Sequence, residues 1–241
     1  MLLIMWIGFA LCSAFTIWIL LPYIYKVMKV RELRKLCKAY RTIVLTYDDG
    51  PSGTLTPKVL KLLSGFDANA TFFLLGKRVE RNPEIIPSII TAGNEIGNHS
   101  HSHLNAWKQL PWKVAADISM GERTIQDRGA SPSLFRPPNG KITLATLFQT
   151  IISKKELAMW TIDSGDTRSK TMTYEQLLNR IREDGGGVIL LHDFEREHSS
   201  SRNDFVLGAT QRLLELAQKE HFQIATFGEL KEKQILIDNA P

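Results

Sequence analysis

Two aspartates stand side by side at the end of an apolar run, in Thr46-Tyr47-Asp48-Asp49-Gly50-Pro51. Adjacent carboxylates repel, so the pair calls for a cation or a division of roles. Further along, Asn98-His99-Ser100-His101-Ser102-His103 sets His99 and His103 four positions apart. That spacing puts both imidazoles on one side of a helical turn or of an extended strand. Two imidazoles and one carboxylate make the protein ligands of a hydrolytic zinc site that keeps a position for water. Either Asp48 or Asp49 serves as the third ligand if the two segments lie close. The other aspartate then stands beside the bound water, whose pKa falls toward ~7, and takes its proton. His101 shares the face in a strand and points away in a helix. Taken singly, Asp-Asp-Gly also suits a plain turn or cap, and the histidine run a polar surface loop.

Two further groups suit the same chemistry. His192 closes the run Val188-Ile189-Leu190-Leu191 and offers an imidazole at the rim of a buried strand. Such a group acts as a general acid toward a leaving amine; a packing or capping histidine is the plainer alternative. Arg136, in Phe135-Arg136-Pro137-Pro138-Asn139-Gly140, is suited to orient a carboxylate. The two prolines stiffen that loop and Gly140 relaxes it. Asp163 and Asp166 are available to pair with Arg136 or His192 and hold its protonation state.

These residues need a scaffold that gathers them. From residue 42 onward, short apolar runs at 43–47, 70–75, 95–98, 133–136, 157–162, 187–191 and 222–226 read as strands. Between them, amphipathic runs near 56–64, 79–92, 112–128, 142–153, 173–184 and 205–220 read as helices. The alternation predicts an α/β fold with mostly parallel strands, and periodicity leaves open whether the sheet closes. In either case ligands collect at the carboxyl ends of the strands. Every polar cluster above follows a predicted strand, so all of them fall at that end.

The first 25 residues carry no charged side chain, enough to cross a bilayer as a helix. A cleaved signal peptide fits less well, because no basic stretch precedes the apolar run. Residues 26–41 hold seven basic side chains against Glu32 alone, a net +6. The whole chain carries +5, which leaves −1 for residues 42–241. The basic surplus is therefore local, and it argues against nucleic acid as a partner of the folded part. It predicts contact with anionic headgroups. Its position after the apolar run predicts a single-pass membrane protein with a cytoplasmic domain; the exported orientation is the alternative. Cys12 and Cys37 imply no disulfide framework. The expected organisation is a transmembrane helix at 1–25, a basic juxtamembrane segment at 26–41 and one domain at 42–241.

The motifs together resemble the NodB-type polysaccharide deacetylases, carbohydrate esterase family 4. Five occur in that family's order: Thr46 to Pro51, His99 to His103, Arg136 to Gly140, Asp163 to Asp166, and Leu190 to His192. Ala70 to Gly76 is similar to the family's second strand, and the likeness spans about residues 42 to 230. The resemblance implies a distorted (β/α) barrel of about seven parallel strands and metal-dependent removal of N-acetyl groups from amino sugars. It implies Asp49, His99 and His103 as ligands of a divalent metal, zinc in most members and cobalt or nickel in some. It implies Asp48 as general base, tethered by Arg136. His192 is the implied general acid, tuned by Asp166 as first choice and Asp163 as second. Ser100 supports the histidine loop, Leu190 lines the acetyl pocket, and the backbone N–H of Asn139 helps hold the oxyanion. Two positions depart from the pattern. Asn139 stands where many members have Tyr, and Thr167 where they have Trp, which removes aromatic surface for stacking sugars. Phe194 and the loop 195–204 are candidates to replace it.

The expected function is hydrolysis of an N-acyl amino sugar in a glycan or a lipid-linked saccharide. Metal-activated water attacks, Asp48 is the base and His192 the acid. The rival from another class is a membrane-anchored carbohydrate-binding protein of the same fold without turnover. A metal-dependent phosphohydrolase is a third reading, weakened because no second carboxylate-rich cluster is present for a second metal.

Overall fold

The computed structural model describes residues 2–169, 171–194 and 200–238. The chain opens with helix α1 (Leu2–Ala39) and strand β1 (Thr42–Gly50). Then come α2 (Leu55–Gly65), β2 (Thr71–Leu74), α3 (Gly76–Arg81), α4 (Ile85–Thr91) and β3 (Glu95–Asn98). They are followed by α5 (Pro111–Gln126), β4 (Leu134–Phe135), a 3-10 turn (Pro138–Gly140), α6 (Leu144–Ile152), β5 (Glu156–Leu157) and β6 (Ile162–Asp163). The chain continues through α7 (Tyr174–Asp184), β7 (Gly187–His192), α8 (Ser200–Glu220), β8 (Gln223–Ala225) and α9 (Phe227–Asp238).

All strand pairs are parallel, in the order β5-β4-β3-β2-β1-β7-β6, with β8 paired to the start of β1. Parallel strands covered on both faces read as continuous apolar runs, and β1 is such a run. Ile43, Leu45 and Tyr47 join a cluster with α2, α4, α7 and α8 on one face. Val44, Phe73, Phe135 and Val188 share the cluster of the other face with α1 and α9. Helix α7 starts on a reciprocal cap, in which Thr173 Oγ1 accepts from the Gln176 N–H at 3.2 Å and Gln176 Oε1 from the Thr173 N–H at 3.0 Å.

The run expected as one strand at 157–162 is instead two short strands at opposite ends of the sheet. Leu157 pairs with β4 and Ile162 with β7. The Ala158 amide still bonds Phe135 O (2.8 Å), whereas the Thr161 amide bonds Val188 O (3.0 Å). The chain thus crosses the gap of a distorted (β/α) barrel at Met159 and Trp160. The helix expected at 79–92 is broken around Asn82-Pro83 into α3 and α4, because proline lacks the N–H that would continue it. Helix α9 was absent from the sequence reading.

The N-terminal expectation is corrected. Among the described residues, no helix is long and apolar enough to cross a membrane. A single-pass membrane protein, its cytoplasmic orientation and a membrane partner therefore do not stand. Residues 2–39 form one helix, and its basic end is not held for headgroups. Leu33, Leu36 and Cys37 are buried in the inner cluster, at the spacing of one helical face. Lys29 lies 3.3 Å from Glu32 and 3.7 Å from Glu156, and Lys26 donates to Gly140 O at 3.0 Å. Part of the positive charge therefore meets groups of the protein itself. Burial pushes the Cys37 thiol up to about 12, so it packs as an inert apolar group.

Candidate active site

Strand β1 carries the two aspartates out at its carboxyl end. Asp48 pairs in register with His192 on β7. Asp49 has φ +66°, and its carboxylate reaches both His99 and His103, whereas Asp48 reaches only His99. Next, Gly50 lies against the buried carboxylate of Asp193, and a Cβ there would overlap both of its oxygens. We expect Gly50→Ala to cost roughly 1–3 kcal/mol through overpacking and to lower the melting midpoint by about 5 °C. An unchanged melt would mean that the carboxylate moves aside freely.

Asp49, His99 and His103 converge, their donor atoms all within 4.8 Å of one another. Asp49 Oδ1 is 3.4 Å from His99 Nε2 and 3.2 Å from His103 Nε2. It is buried and has no aligned hydrogen bond among the described residues. An orphaned buried carboxylate oxygen between two ring nitrogens is the environment a divalent cation satisfies, so this donor set fits a metal. His99 Nδ1 donates to Arg136 O at 2.7 Å, which turns Nε2 toward the triad. Burial alone would raise the Asp49 pKa; the close approach and charge of His99, with His103 and His192, hold it far below the usual carboxylate range. Ser100, at φ +72°, ties the loop together: its Oγ accepts the His103 N–H at 3.2 Å and its N–H donates to Asn98 Oδ1 at 2.8 Å. His101 is not part of the cluster and faces Glu80 on α3 at 3.9 Å.

Asp48 is buried and takes its hydrogen bonds from a different group, although its Oδ2 also lies 3.7 Å from His99 Nε2. Arg136 Nη1 donates to Asp48 Oδ1 and to Thr46 Oγ1, both at 2.7 Å. The same guanidinium reaches Ala158 O and Met159 O at 3.4 Å and lies 3.9 Å over the Phe73 ring. It is wholly buried. Burial lowers the Arg136 pKa, and the Asp48 charge opposes this.

On the other flank, His192 Nδ1 meets Asp166 Oδ1 at 2.8 Å, while the His192 N–H donates to Asp166 Oδ2 at 2.9 Å. Burial alone would lower the His192 pKa; the Asp166 hydrogen bond and charge override it and raise it to about 9. Asp163 is not in this pair. It accepts from Gly165 N–H and from Arg168 Nη2, at 2.9 and 2.5 Å. Leu190 is buried on β7. Asn139 has φ +56°, and the turn's hydrogen bonds use the amides of Gly140 and Lys141, leaving its own N–H unspent among the described residues.

Two features escaped the sequence reading. Asp193 had no role there, yet it is fully buried, accepts from Thr56 Oγ1 at 2.6 Å, and is pushed by burial up to about 7. Its signal was a second carboxylate directly after His192. The other is aromatic. Phe194 does sit beside His192, ring centroids 6.0 Å apart, while residues 195–199 of the candidate loop lie outside the described residues. Trp107 and Trp160 flank the Arg136–Ile142 loop instead. Trp107 Nε1 donates to Ile142 O at 3.0 Å, and the Trp160 ring lies against Gly140.

A barrel of parallel strands whose carboxyl ends combine a three-donor cluster with a separate buried carboxylate and a charged imidazole defines a hydrolase scaffold. Comparison with known proteins makes this specific. Residues 35–160 match the family model described as polysaccharide deacetylase. A peptidoglycan-N-acetylglucosamine deacetylase of Bacillus cereus is 32% identical over 79% of this chain and 88% of its own length. The Bacillus subtilis peptidoglycan-N-acetylmuramic acid deacetylase PdaC is 30% identical over 80% of this chain, which spans only 39% of that longer protein. The solved structure of PdaC superposes with a TM-score of 0.70 at 28% identity, covering 82% of this chain and 93% of the solved one. The chain belongs to the polysaccharide deacetylase family, hydrolases that act on N-acetyl amide bonds.

Proposed function

We propose that the chain removes N-acetyl groups from amino sugars of a cell-wall-type glycan. The observation that carries the reading is the register of Asp48 with His192. It sets an Arg136-held carboxylate and an Asp166-held imidazolium on adjacent strands, close to Asp49, His99 and His103. The names of the relatives supply the substrate class.

In this reading Asp49, His99 and His103 hold a divalent cation, zinc by preference and cobalt or nickel otherwise, which when bound supplies Lewis acidity toward water and the amide carbonyl. Asp48 takes a proton from water as the oxygen bonds to the acyl carbon. Arg136 keeps that carboxylate aimed. The Asn139 N–H receives the developing oxyanion. His192 donates its proton to the nitrogen as the C–N bond breaks, and acetate and a free amine leave. Leu190 lines the space for the acetyl methyl. The non-catalytic carbohydrate-binding reading loses ground because Asp48 is held by Arg136 and His192 by Asp166 in the sense the reaction needs.

The test is acetate release from chitooligosaccharide and from peptidoglycan, with and without a chelator. We expect release that chelation abolishes and added zinc restores. Release that persists after complete removal of metal, or no release from either glycan, would overturn the reading.

A further inference from the structure

The loop that carries Asn139 is bordered by groups with no part in the steps above. Trp107 stands four residues after His103 and is 61% exposed. Exposure alone says little, since Trp112 and Phe148 are as exposed; what sets Trp107 apart is its place and its fixed ring. The ring is fixed because Nε1 donates to Ile142 O, three residues past Asn139. Lys141 Nζ sits 3.9 Å over the same ring. On the opposite side of the loop, Lys26 of α1 donates to Gly140 O and lies 5.7 Å over Trp160. A side chain at Gly140 would collide with that tryptophan, and its φ of +61° suits glycine, so the loop is packed tightly between the two rings.

The charges add a second observation. Among the described residues, neither Lys26 nor Lys141 has a carboxylate within salt-bridge distance, whereas the nearby Lys29 and Lys231 share Glu32 and Glu156. The two ammonium groups instead repel each other; burial, and then Lys141, hold the Lys26 pKa below its ordinary value. Two unpaired cations beside a fixed, exposed indole form a surface for a ring that carries negative charge. An indole stacks on the C–H face of a pyranose, and the cation over it reaches a substituent on that sugar.

We infer that Trp107, Lys141 and Lys26 form a glycan subsite next to the reacting sugar, in which Trp107 stacks a pyranose and the lysines hold an anionic substituent on it. The inference rests on the deacetylase reading and narrows it. The preferred glycan carries a carboxylate or phosphate on the sugar neighbouring the one that loses its acetyl group. An alternating amino-sugar chain with a lactyl carboxylate on every second residue meets this requirement; a phosphorylated amino sugar has the same chemistry.

The experiment measures affinity and turnover separately on the full chain. The probes are uncharged chitotetraose, a tetrasaccharide of alternating N-acetylglucosamine and N-acetylmuramic acid, and N-acetylglucosamine 1-phosphate. Calorimetry gives Kd, and acetate release gives kcat and KM. For the wild type we expect tighter binding of the carboxylated tetrasaccharide than of chitotetraose. Trp107→Ala should weaken both tetrasaccharides roughly tenfold, with the loss in KM rather than kcat. Trp107→Phe, which keeps a ring and loses the N–H, should restore most of the affinity. Lys141→Gln should weaken only the charged probes, roughly fivefold, and Lys26→Gln should act in the same direction. An effect confined to the phosphate probe would assign the subsite to phosphosugars. Unchanged Kd for Trp107→Ala, or an equal loss for charged and uncharged glycans in Lys141→Gln, would overturn the subsite and leave deacetylation standing. Binding that follows the expected pattern without acetate release by the wild type would overturn deacetylation and leave the subsite.

Discussion

Asp48→Asn is expected to lower kcat by about 10³-fold or more while the chain still takes up one equivalent of divalent cation. Removing a general base costs ~10²–10⁴-fold. Asp48 also faces no alternative proton acceptor of its kind, since Asp49 is turned into the histidine cluster. Asparagine keeps an oxygen for Arg136 Nη1, which donates to Asp48 Oδ1 at 2.7 Å, so the shape of the site survives. The guanidinium loses its counter-charge in a wholly buried position, which we expect to cost on the order of 3 kcal/mol in stability. A melt therefore accompanies the kinetics, to separate lost chemistry from lost fold. Asp49→Asn is the contrasting variant. It should weaken cation uptake strongly and recover part of its turnover at high metal concentration. The two variants have different signatures because neighbouring carboxylates sit in different networks. Turnover of Asp48→Asn within tenfold of wild type would remove it as the base. Loss of the cation in that variant would make it a ligand.

Asp166→Asn should reduce kcat by roughly 10²-fold and move the alkaline limb of the pH profile toward neutrality. The sign follows from the proton His192 must give. Burial alone would lower the pKa of this imidazole, and the hydrogen bond and charge of Asp166 raise it to about 9. The acid is thus fully charged below the ordinary histidine value, and activity falls as pH rises through about 9. Without the Asp166 hydrogen bond and charge only the lesser pull of Asp48 and Asp49 opposes burial, and the proton is lost at lower pH. The same displacement acts on folding. A raised histidine pKa contributes stability that is complete below ~6.5 and is lost as pH rises through the folded value. Asp166→Asn should therefore lose stability at neutral pH and little at pH 10. Asp163→Asn is the control, because Asp163 pairs with Arg168 and not with His192. A profile for Asp166→Asn with its alkaline limb in the wild-type place would show that Asp166 does not set the proton affinity of His192.

Much of this site was legible in the sequence because its residues end buried strands. Asp48, His99, Arg136 and His192 each follow an apolar run, and parallel strands deliver such residues to one end. The choice between Asp48 and Asp49 was legible only through family resemblance, since spacing says nothing about the left-handed turn at Asp49. The choice between Asp163 and Asp166 was likewise hidden; it depends on a loop that folds back so that Asp166 meets both the ring and the amide of His192. The segment 157–162 misled for a physical reason. An apolar run reports burial and not which neighbour it pairs with, so one strand and two half-strands look alike. The N-terminal error came from reading composition ahead of pattern. Leu33, Leu36 and Cys37 recur at helical spacing inside the basic stretch, and that periodicity marks a face packed on protein. Trp107 was passed over because it lies outside every motif.

Helix α1 closes one face of the barrel, and the crossing at Met159 and Trp160 closes its seam. No backbone ladder joins β5 to β6 among the described residues. Beside the seam, Arg136 ties the crossing to the central strand: its side chain reaches Ala158 O and Met159 O on one side and Asp48 of β1 on the other. One guanidinium is thus both the rivet of the wall and the tether of the carboxylate beside it. Any breathing of the seam would slacken Asp48 at the same instant. We expect exchange of the amides around the crossing and excursions of the active site to belong to one cooperative unit.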